Sequence, residues 1–437
     1  MAEDRSDKAM VEMLYRRAAF WLLPFLLLCY IVAMIDRLNV GFAKLAFIDD
    51  LHYDDAVFGM AAGILYIGYI LFEVPSNLML QRAGVRITML RIMIVWGIAT
   101  MTMAFAVNRS SFYTARFIIG AGEAGFFPGI LYYLTLWFPS AWRARITSLF
   151  AVGVPISGVV AGPASSWIMT HMAGVSGLRG WQWLFLVEGA PAIILGVAAY
   201  FYLPDHPAGA RFFSSSEAKE VRLDIEKENS LKSTGGTFLQ SLANPRAYAL
   251  AFVYFAFYSA QSVLLLWVPT LLRDAGAHDL GEIGARSALV NLIGGVGMIL
   301  VGWHSDRLAE RRLHLIACGL IGSAAYLCLP LAAGKVGAMT FLLAIAAIGL
   351  FSFLALFWTV PTALFGAQSR AGVIAMISSI GAAGSALSPI FIGWTKVQTG
   401  SLFSAIDVLA LLFGASLIVL ALCMAGEQRE LAAQRAR

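Results

Sequence analysis

The chain has 437 residues, of which 59% are hydrophobic and 13% charged, and its formal net charge is +5. A soluble globular protein carries about 25% charged residues, so this composition excludes an ordinary soluble fold and indicates an integral membrane protein. The basic residues are concentrated in predicted loops on one side of the membrane, which explains the positive charge without nucleic-acid binding.

Twelve apolar segments are long enough to cross a bilayer, because a hydrocarbon core about 30 Å thick requires about 20 helical residues. The first is too long for a signal peptide and lacks a small-residue cleavage site, so we expect a permanent anchor. The distribution of Lys and Arg predicts that both termini are cytoplasmic. We predict the spans near residues 19–46, 57–81, 88–107, 111–136, 146–170, 181–203, 247–272, 285–303, 313–332, 338–361, 371–395 and 402–425.

A polar stretch separates the first six spans from the last six. It begins at Pro204–Pro207, and Ser214-Ser-Ser-Glu217 has the pattern of a helix capping box. We therefore predict an all-α membrane protein made of two six-helix bundles. Its parts are an N-terminal bundle over 1–203, a cytoplasmic linker with a short charged helix over 204–245, and a C-terminal bundle with a cytoplasmic tail over 246–437.

Ionisable residues lie inside two of the predicted spans. Asp36 and Arg37 are adjacent in the first span, and Arg116 and Glu123 are seven residues apart in the fourth. Such groups cost several kcal/mol at membrane depth and are retained mainly where they face a polar cavity and act there. They indicate movement of a charged solute across the membrane. A permanent ion-pair lattice that pins the two spans together is the alternative.

The same four residues suggest a way to couple transport to protons. Helical spacing places Arg116 and Glu123 on one face, and chain direction brings Asp36 to a depth similar to that of Arg116. Burial favours the protonated form of a carboxylic acid, whereas a neighbouring guanidinium favours the ionised form. Exchange of partners during a transport cycle would therefore load and release protons.

Two basic turns carry a further pattern, 225 residues apart. The turn after span eight contains Gly302-x3-Asp306-Arg307, which resembles a signature of the major facilitator superfamily. The turn after span two keeps Arg82 and Arg86 of that signature but has Gln81 at the acidic position. Six-plus-six spans with matching turns are typical of transporters built from two related bundles.

Further segments over nearly the whole chain resemble one family within that superfamily, the anion:cation symporters. This family includes sialin-like, galactonate, tartrate, phthalate and hydroxyphenylacetate carriers. In span eleven, however, Ser378-Ser-Ile-Gly-Ala382 stands where the family has Asn-Ser-Ile-Gly-Asn, so two amides are lost. The matching segments are Asp36-Arg-Leu-Asn-Val-Gly-Phe-Ala43, Gly68-Tyr-Ile-Leu-Phe-Glu-Val-Pro-Ser-Asn77, Arg116-x6-Glu123-Ala-Gly-Phe-Phe-Pro128, Trp137-Phe-Pro139, Trp181-Gln-Trp-Leu-Phe-Leu-Val-Glu188 and Phe357-Trp-x2-Pro-Thr362.

The resemblance implies roles for five residues of the first half. Asp36 and Glu123 would be protonation sites, Arg116 their switching partner, and Arg37 the contact for the anion. Tyr69 would donate a hydrogen bond to the substrate, with ordinary packing as the alternative. Glu188 is expected to pair near the cytoplasmic turns as a structural residue.

The second half offers no charge in the middle of a span. Trp358 and Thr359 are its best candidates for substrate contact, followed by Ser378, and core packing is the alternative for each. The remaining predicted residues have gating or structural roles and lie in or near the two basic turns. They are Glu73, Arg82, Arg86, Asp306 and Arg307.

We therefore expect a proton-coupled symporter that carries a small carboxylate, such as a sugar acid, a tartrate-like diacid or an aromatic acid, into the cell by alternating access. A drug or metabolite antiporter is the alternative, because Gly158-x3-Gly162-Pro163 matches the span-five signature of that class. A membrane-embedded enzyme or sensor is less favoured, since the six histidines are scattered. We expect no metal or cofactor besides the proton, and a monomer in a bacterial inner membrane.

Overall fold

The computed structural model describes residues 2–232, 244–308, 310–365 and 367–435. Over these residues the secondary structure is helical without strands, which confirms the all-α prediction. The main helices are α1 (Ala2–Asp50), α2 (Asp55–Thr102), α3 (Arg109–Glu123), α4 (Phe126–Thr135), α5 (Ser140–His171), α6 (Gly180–Tyr202), α7 (Ser215–Lys232), α8 (Pro245–Ser262), α9 (Val268–Asp274), α10 (Leu280–Leu308), α11 (Arg312–Leu327), α12 (Val336–Phe357), α13 (Thr359–Leu364), α14 (Ala367–Thr399) and α15 (Phe403–Arg435).

The predicted number of membrane crossings is consistent with these helices. Ten helical segments in the described part of the chain are long and apolar enough to span a membrane. One of them, Asp55–Phe105, contains two crossings, because Gly84 interrupts the helix with φ +82° and ψ 171°. The shorter apolar helix α11 supplies the twelfth.

The fourth span is broken, whereas the sequence predicts one continuous helix over 111–136. Helix α3 ends at Glu123, and α4 begins at Phe126. Between them Gly125 has φ +82°, and a Cβ there would lie 2.5 Å from Ser76 Oγ, so this position favours glycine both by conformation and by space. The break places the Glu123 carboxylate at a helix end inside the bundle.

Helices before residue 203 pack mainly on one another, as do those after residue 244. The two groups meet where α2 contacts α14, α5 contacts α10, and α1 contacts α9. We call the end of the molecule that carries the loops at 51–54, 172–179 and 275–279 the distal end. Near it, Gly59 of α2 lies against Pro389, and Gly162 of α5 lies against Gly284. The helix groups are therefore closed against each other at the distal end.

The polar stretch contains the predicted short helix, α7. The Ser214 N–H donates to Glu217 Oε2 at 2.8 Å, and the Glu217 N–H donates to Ser214 Oγ at 3.3 Å, which is the predicted capping box. The helix is held against α1 by the 2.6 Å hydrogen bond from Tyr15 to Asp224. Residues 233–243 of the predicted linker lie outside the described residues, and the division into two bundles and a linker stays a prediction.

Candidate functional site

A buried ion pair joins α1 to the end of α3. Arg37 Nε lies 2.7 Å from Glu123 Oε1, and the Glu123 side chain is only 2% exposed. The other carboxylate oxygen, Oε2, is buried without a hydrogen-bond partner among the described residues. The Arg37 guanidinium lies 5.4 Å from the centre of the Tyr69 ring and 5.9 Å from that of Tyr66. Its two terminal nitrogens make no hydrogen bond within the described part of the chain and remain available to an anion.

The neighbouring carboxylate, Asp36, is bound by neutral donors. Trp96 Nε1 and Thr100 Oγ1 donate to Asp36 Oδ2 at 2.9 and 3.0 Å, and Asn39 Nδ2 donates to Oδ1 at 3.2 Å. The Asp36 residue is 4% exposed. Three hydrogen bonds from neutral donors therefore satisfy the carboxylate without neutralising its charge.

Arg116 lies in the same cluster but makes no close ion pair with a described residue. Its Nε is 3.4 Å from the Ala61 carbonyl oxygen, a long contact, and the residue is 3% exposed. Asp36 and Glu123 both act on it electrostatically. The structure therefore brings the four predicted charged residues together, and in this conformation Glu123 pairs with Arg37 and not with Arg116.

Three aromatic residues of the second half, Tyr254, Tyr258 and Trp358, form a wall near this cluster. Tyr258 acts electrostatically on Tyr66 and Tyr69, which places its phenol near the Arg37 site. It receives a 3.2 Å hydrogen bond from Tyr254, whose ring packs 4.9 Å from that of Trp358. Trp358 is thus part of this aromatic wall. This position is compatible both with substrate contact and with core packing, the two predicted roles.

The other two predicted substrate residues have different surroundings. Thr359 Oγ1 donates to the Leu356 carbonyl oxygen at 2.7 Å, so this hydroxyl proton is used within its own helix turn. Ser378 is half-buried on α14, the helix that also carries Gly381 against the Tyr254 ring. Ser378 therefore lies on a helix that borders the aromatic wall.

A second buried charged group closes the distal end, and sequence reasoning did not select it. Lys44 is fully buried, and its Nζ lies 2.5 Å from Asp55 Oδ1 and 3.0 Å from Thr270 Oγ1 of α9. Lys396 of α14 lies 3.4 Å from Asp55 and 3.1 Å from Asp274. These contacts join α1 and α2 to α9 and α14, so we name Lys44, Asp55, Lys396 and Asp274 the distal network.

An irregular helical segment lies beside the distal network. Val263–Trp267, between α8 and α9, forms a π-helical stretch, a local widening that is frequent at functional sites. The Trp267 ring centre lies 4.0 Å from Lys44 Nζ, and the Phe58 ring centre lies 4.8 Å from it. Two aromatic faces and one carboxylate therefore stabilise the buried ammonium.

The predicted gating residues of the first half lie away from the cluster. Glu73 is half-buried and makes no ion pair within the described residues, and Arg82 is exposed. The Arg86 N–H donates to Asp205 Oδ1 at 3.1 Å, and its Nε donates to the Tyr200 carbonyl oxygen at 2.8 Å. The polar stretch thus supplies a carboxylate to the turn in which Gln81 replaces the expected acid.

The turn of the second half carries its own ion pair. Asp306 accepts a hydrogen bond from Arg311, and the Arg307 guanidinium lies 5.4 Å from the centre of the Trp303 ring. Both predicted residues are exposed. They stabilise the connection between α10 and α11 and have no contact with the central cluster.

Several residues of the site were missed by the sequence reasoning. Lys44 had a usable signal, since it is a further charge within the first apolar run. Trp96 and Thr100 are four residues apart, one helical turn, but nothing local indicates that they face Asp36. The expected location of Glu188 near the cytoplasmic turns is wrong, because it lies in the distal half of α6 and accepts a 2.8 Å hydrogen bond from Ser165.

Most of the sequence matches a known protein family. The model of the Major Facilitator Superfamily matches residues 26–389. The chain belongs to the major facilitator superfamily. Its recognition from the motifs is confirmed, as is the prediction that it is a membrane transporter and not an enzyme.

Three relatives of this superfamily member match almost end to end. A putative metabolite transport protein NicT from Pseudomonas putida is 37% identical over 91% of each chain. A putative tartrate transporter from Agrobacterium vitis is 39% identical over 92% of this chain and 93% of its own. A quinolone resistance transporter from Acinetobacter baumannii is 36% identical over 91% of this chain and 92% of its own.

The fold is also similar to that of a solved structure. A bacterial homologue of the human lysosomal transporter Spinster, crystallised in an inward-facing and occupied conformation, superposes with a TM-score of 0.70. The alignment covers 93% of this chain and 95% of that one, at 20% sequence identity. This likeness supports the twelve-helix fold.

Proposed function

We propose that the protein is a proton-coupled symporter that carries a small organic anion into the cell by alternating access. The observation that carries the proposal is the buried Arg37–Glu123 pair, which lies beside a second buried carboxyl group, Asp36. One guanidinium whose two terminal nitrogens make no hydrogen bond with a described residue can bind an anion, and two carboxyl groups can carry protons.

The substrate would bind through its carboxylate at Arg37. A planar guanidinium holds a carboxylate through two parallel hydrogen bonds, and the rings of Tyr66 and Tyr69 fix the guanidinium from one side. The putative tartrate transporter among the relatives supports an organic acid as the class of substrate. Tyr69, Trp358 and Ser378 would then recognise the remainder of the molecule.

Coupling follows from competition at Arg37. An anion that binds there competes with Glu123, whose other oxygen already lacks a hydrogen-bond partner among the residues that the structure describes. A carboxylate released from its guanidinium in a buried site would carry an unpaired charge at high cost, so it takes up a proton. Anion and proton are then bound together, while Arg116 is available as an alternative partner for either carboxyl group.

The direction of transport rests on the orientation of the chain. The predominance of basic residues in the loops on the side of the termini supports a cytoplasmic location for both termini. The distal end would then face outward, and its closure corresponds to an inward-facing state. The localisation that fits is a bacterial inner membrane, with the carboxylate and protons entering together.

A drug antiporter is the second candidate. It is supported by the quinolone resistance transporter among the relatives and by Gly158-x3-Gly162-Pro163 in α5. An antiporter exchanges its substrate for protons, so a proton gradient would expel the substrate. The direction of movement under an imposed pH gradient therefore separates the two functions.

The test has two stages. Purified protein is screened by thermal shift against tartrate, phthalate, galactonate, 4-hydroxyphenylacetate and a fluoroquinolone, because a ligand of the folded state raises apparent stability. Radiolabelled uptake of the stabilising compound is then measured in proteoliposomes with and without an inward proton gradient. We expect carboxylate accumulation that a protonophore abolishes. Accumulation that survives the protonophore but requires sodium, or expulsion of the quinolone, would contradict the proposal.

A further inference from the structure

A third buried carboxyl group lies close to Asp36. Glu188 of α6 is 8% exposed, and its Oε1 accepts the 2.8 Å hydrogen bond from Ser165 Oγ of α5. The Oε2 atom is buried and has no hydrogen-bond partner in the described part of the chain. No ion pair involves this residue within that part. Glu188 is therefore a titratable group at membrane depth that has no part in the proposed exchange of partners at Arg37.

An amide connects Glu188 to the coupling site. Asn39, which is 1% exposed, donates to Asp36 Oδ1 at 3.2 Å, and its side chain also interacts with the Glu188 carboxyl group. Asn39 has two amide hydrogens, so one residue can serve both acids. Asn39 thus lies beside both acids and can donate to either.

The pair has little positive charge to balance it. Among the described residues, Asp36 on α1 is the charged group that acts on Glu188, while α5 contributes the neutral Ser165. Arg116 and Glu123 of α3 act on Asp36. An unpaired buried charge costs several kcal/mol even after relaxation, and two like charges at close range cannot both be stable. A proton held by either acid removes this repulsion.

The surroundings of Glu188 also change when the distal end opens. Ser166, next to Ser165, contacts Gly284 of α10 across the interface between the two helix groups. Separation of these helices would expose this part of α5 to water. The donor to Glu188 therefore lies one residue from a contact that alternating access has to break.

We propose that Glu188 takes up and releases one proton in each transport cycle, in exchange with water that enters when the distal end opens. This inference rests on the proposed proton symport. It assigns to Glu188 a proton site separate from Glu123, linked to Asp36 through Asn39. The number of protons that move with each anion would then be one larger than in a chain that has glutamine at this position.

The proton-to-anion ratio tests this directly. Proteoliposomes with a fixed anion gradient and a clamped membrane potential are exposed to a series of pH gradients, and the gradient that stops net anion flux gives the ratio. We expect the ratio to fall by one in Glu188→Gln. Asp407→Asn is the matched control, because Asp407 Oδ1 is also buried without a hydrogen-bond partner among described residues but lies in α15. It should keep the parental ratio.

The outcomes separate this inference from the function on which it rests. If no pH gradient affects anion flux in the parent protein, proton symport itself is wrong, and the role proposed for Glu188 is then wrong as well. If the parent shows coupling and Glu188→Gln keeps the parental ratio, only the role of Glu188 is wrong.

A second variant covers the case in which Glu188→Gln does not fold. Ser165→Ala keeps the carboxyl group and removes the hydroxyl that stabilises its ionised form. Glu188 would then retain its proton to higher pH, so the pH at half-maximal uptake should rise. A pH profile that coincides with that of the parent protein would overturn the proposal.

Discussion

Two buried cation–carboxylate contacts among the described residues differ in the helices that they join. The Arg37–Glu123 pair links α1 to α3 inside the first half, beside Asp36 and Arg116. The Lys44–Asp55 pair also lies in the first half but continues to Thr270 of α9 and to Lys396 of α14. A movement of the two halves against each other would leave the central pair intact and would break the distal network.

This difference suggests a division of roles between the two pairs. The central pair can change partners only when an anion or a proton replaces one member, so it suits binding and coupling. The distal network must rearrange when the helices separate, so it suits control of the conformation. Charge at membrane depth is costly in both places, and each position has a separate reason to retain it.

The largest effect is expected at Arg37. Truncation of one partner in a buried charge pair costs about 2–5 kcal/mol, so Arg37→Ala should weaken binding of the stabilising carboxylate about 30-fold or more. Arg37→Lys should restore binding poorly, because an ammonium cannot form two parallel hydrogen bonds. Isothermal titration calorimetry on purified protein measures both. Near-parental affinity in the lysine variant would show that Arg37 contributes only its positive charge and not two parallel hydrogen bonds.

Glu123→Gln should separate binding from coupling. Glutamine imitates the protonated acid in size and keeps most of its hydrogen bonding, so exchange of substrate for substrate at equal pH should persist. Accumulation driven by a proton gradient should fall, because the proton that replaces Arg37 as the partner of residue 123 no longer moves with the anion. Both are measured as radiolabelled flux in proteoliposomes, with Asp407→Asn as a control outside the cluster. If Glu123→Gln accumulates substrate as well as the parent protein does, the coupling role passes to Asp36.

A smaller effect is expected from the distal network. Lys44→Met removes a buried ammonium that links the two halves, so the closed distal end should open more often. Ser287, 3% exposed and near the interface of α5 and α10, provides a reporter when changed to cysteine. In a background without the native cysteines, its reaction with an impermeant maleimide from outside should accelerate about tenfold, equivalent to about 1.4 kcal/mol.

Lys396→Met is the matched control for this experiment. Its side chain is 16% exposed, compared with 0% for Lys44, and partly solvated ion pairs contribute less. The maleimide rate should therefore change less than in Lys44→Met. Equal acceleration in the two variants would show that total charge, and not the buried Lys44 contact, keeps the distal end closed.

The smallest effect is expected from a single donor to Asp36. Thr100→Val removes a hydrogen bond to the ionised form, so Asp36 should keep its proton to higher pH. The pH at half-maximal uptake should rise by about one unit, since one unit corresponds to about 1.4 kcal/mol. Thr100→Ser retains the hydroxyl and should follow the parental pH profile. A downward shift in Thr100→Val would contradict the assigned role of the donor.

The fold was predictable because membrane crossings depend on local composition. Apolar length and the positions of basic residues indicate twelve spans without knowledge of contacts. The break after Glu123 was harder to predict, because it depends on the approach of Ser76 from another helix to Gly125.

The site was predictable only where charge stood out against an apolar background. Asp36, Arg37, Arg116 and Glu123 could be selected in this way. Their pairing could not, since Arg37 and Glu123 are 86 residues apart and meet only through tertiary packing. Trp96 could not be predicted as a donor to Asp36 either, because the two residues are 60 positions apart and also meet only through tertiary packing.

The central claim is that anion and proton move in the same direction through the Arg37–Glu123 site. Proteoliposomes that contain a pH-sensitive dye in the lumen test it most directly. Addition of the bound carboxylate outside, without any imposed pH gradient, should acidify the lumen with the parent protein, and the acidification for each anion that enters should be smaller with Glu123→Gln. Alkalinisation of the lumen, or entry of labelled carboxylate without any pH change in the parent protein, would contradict proton symport.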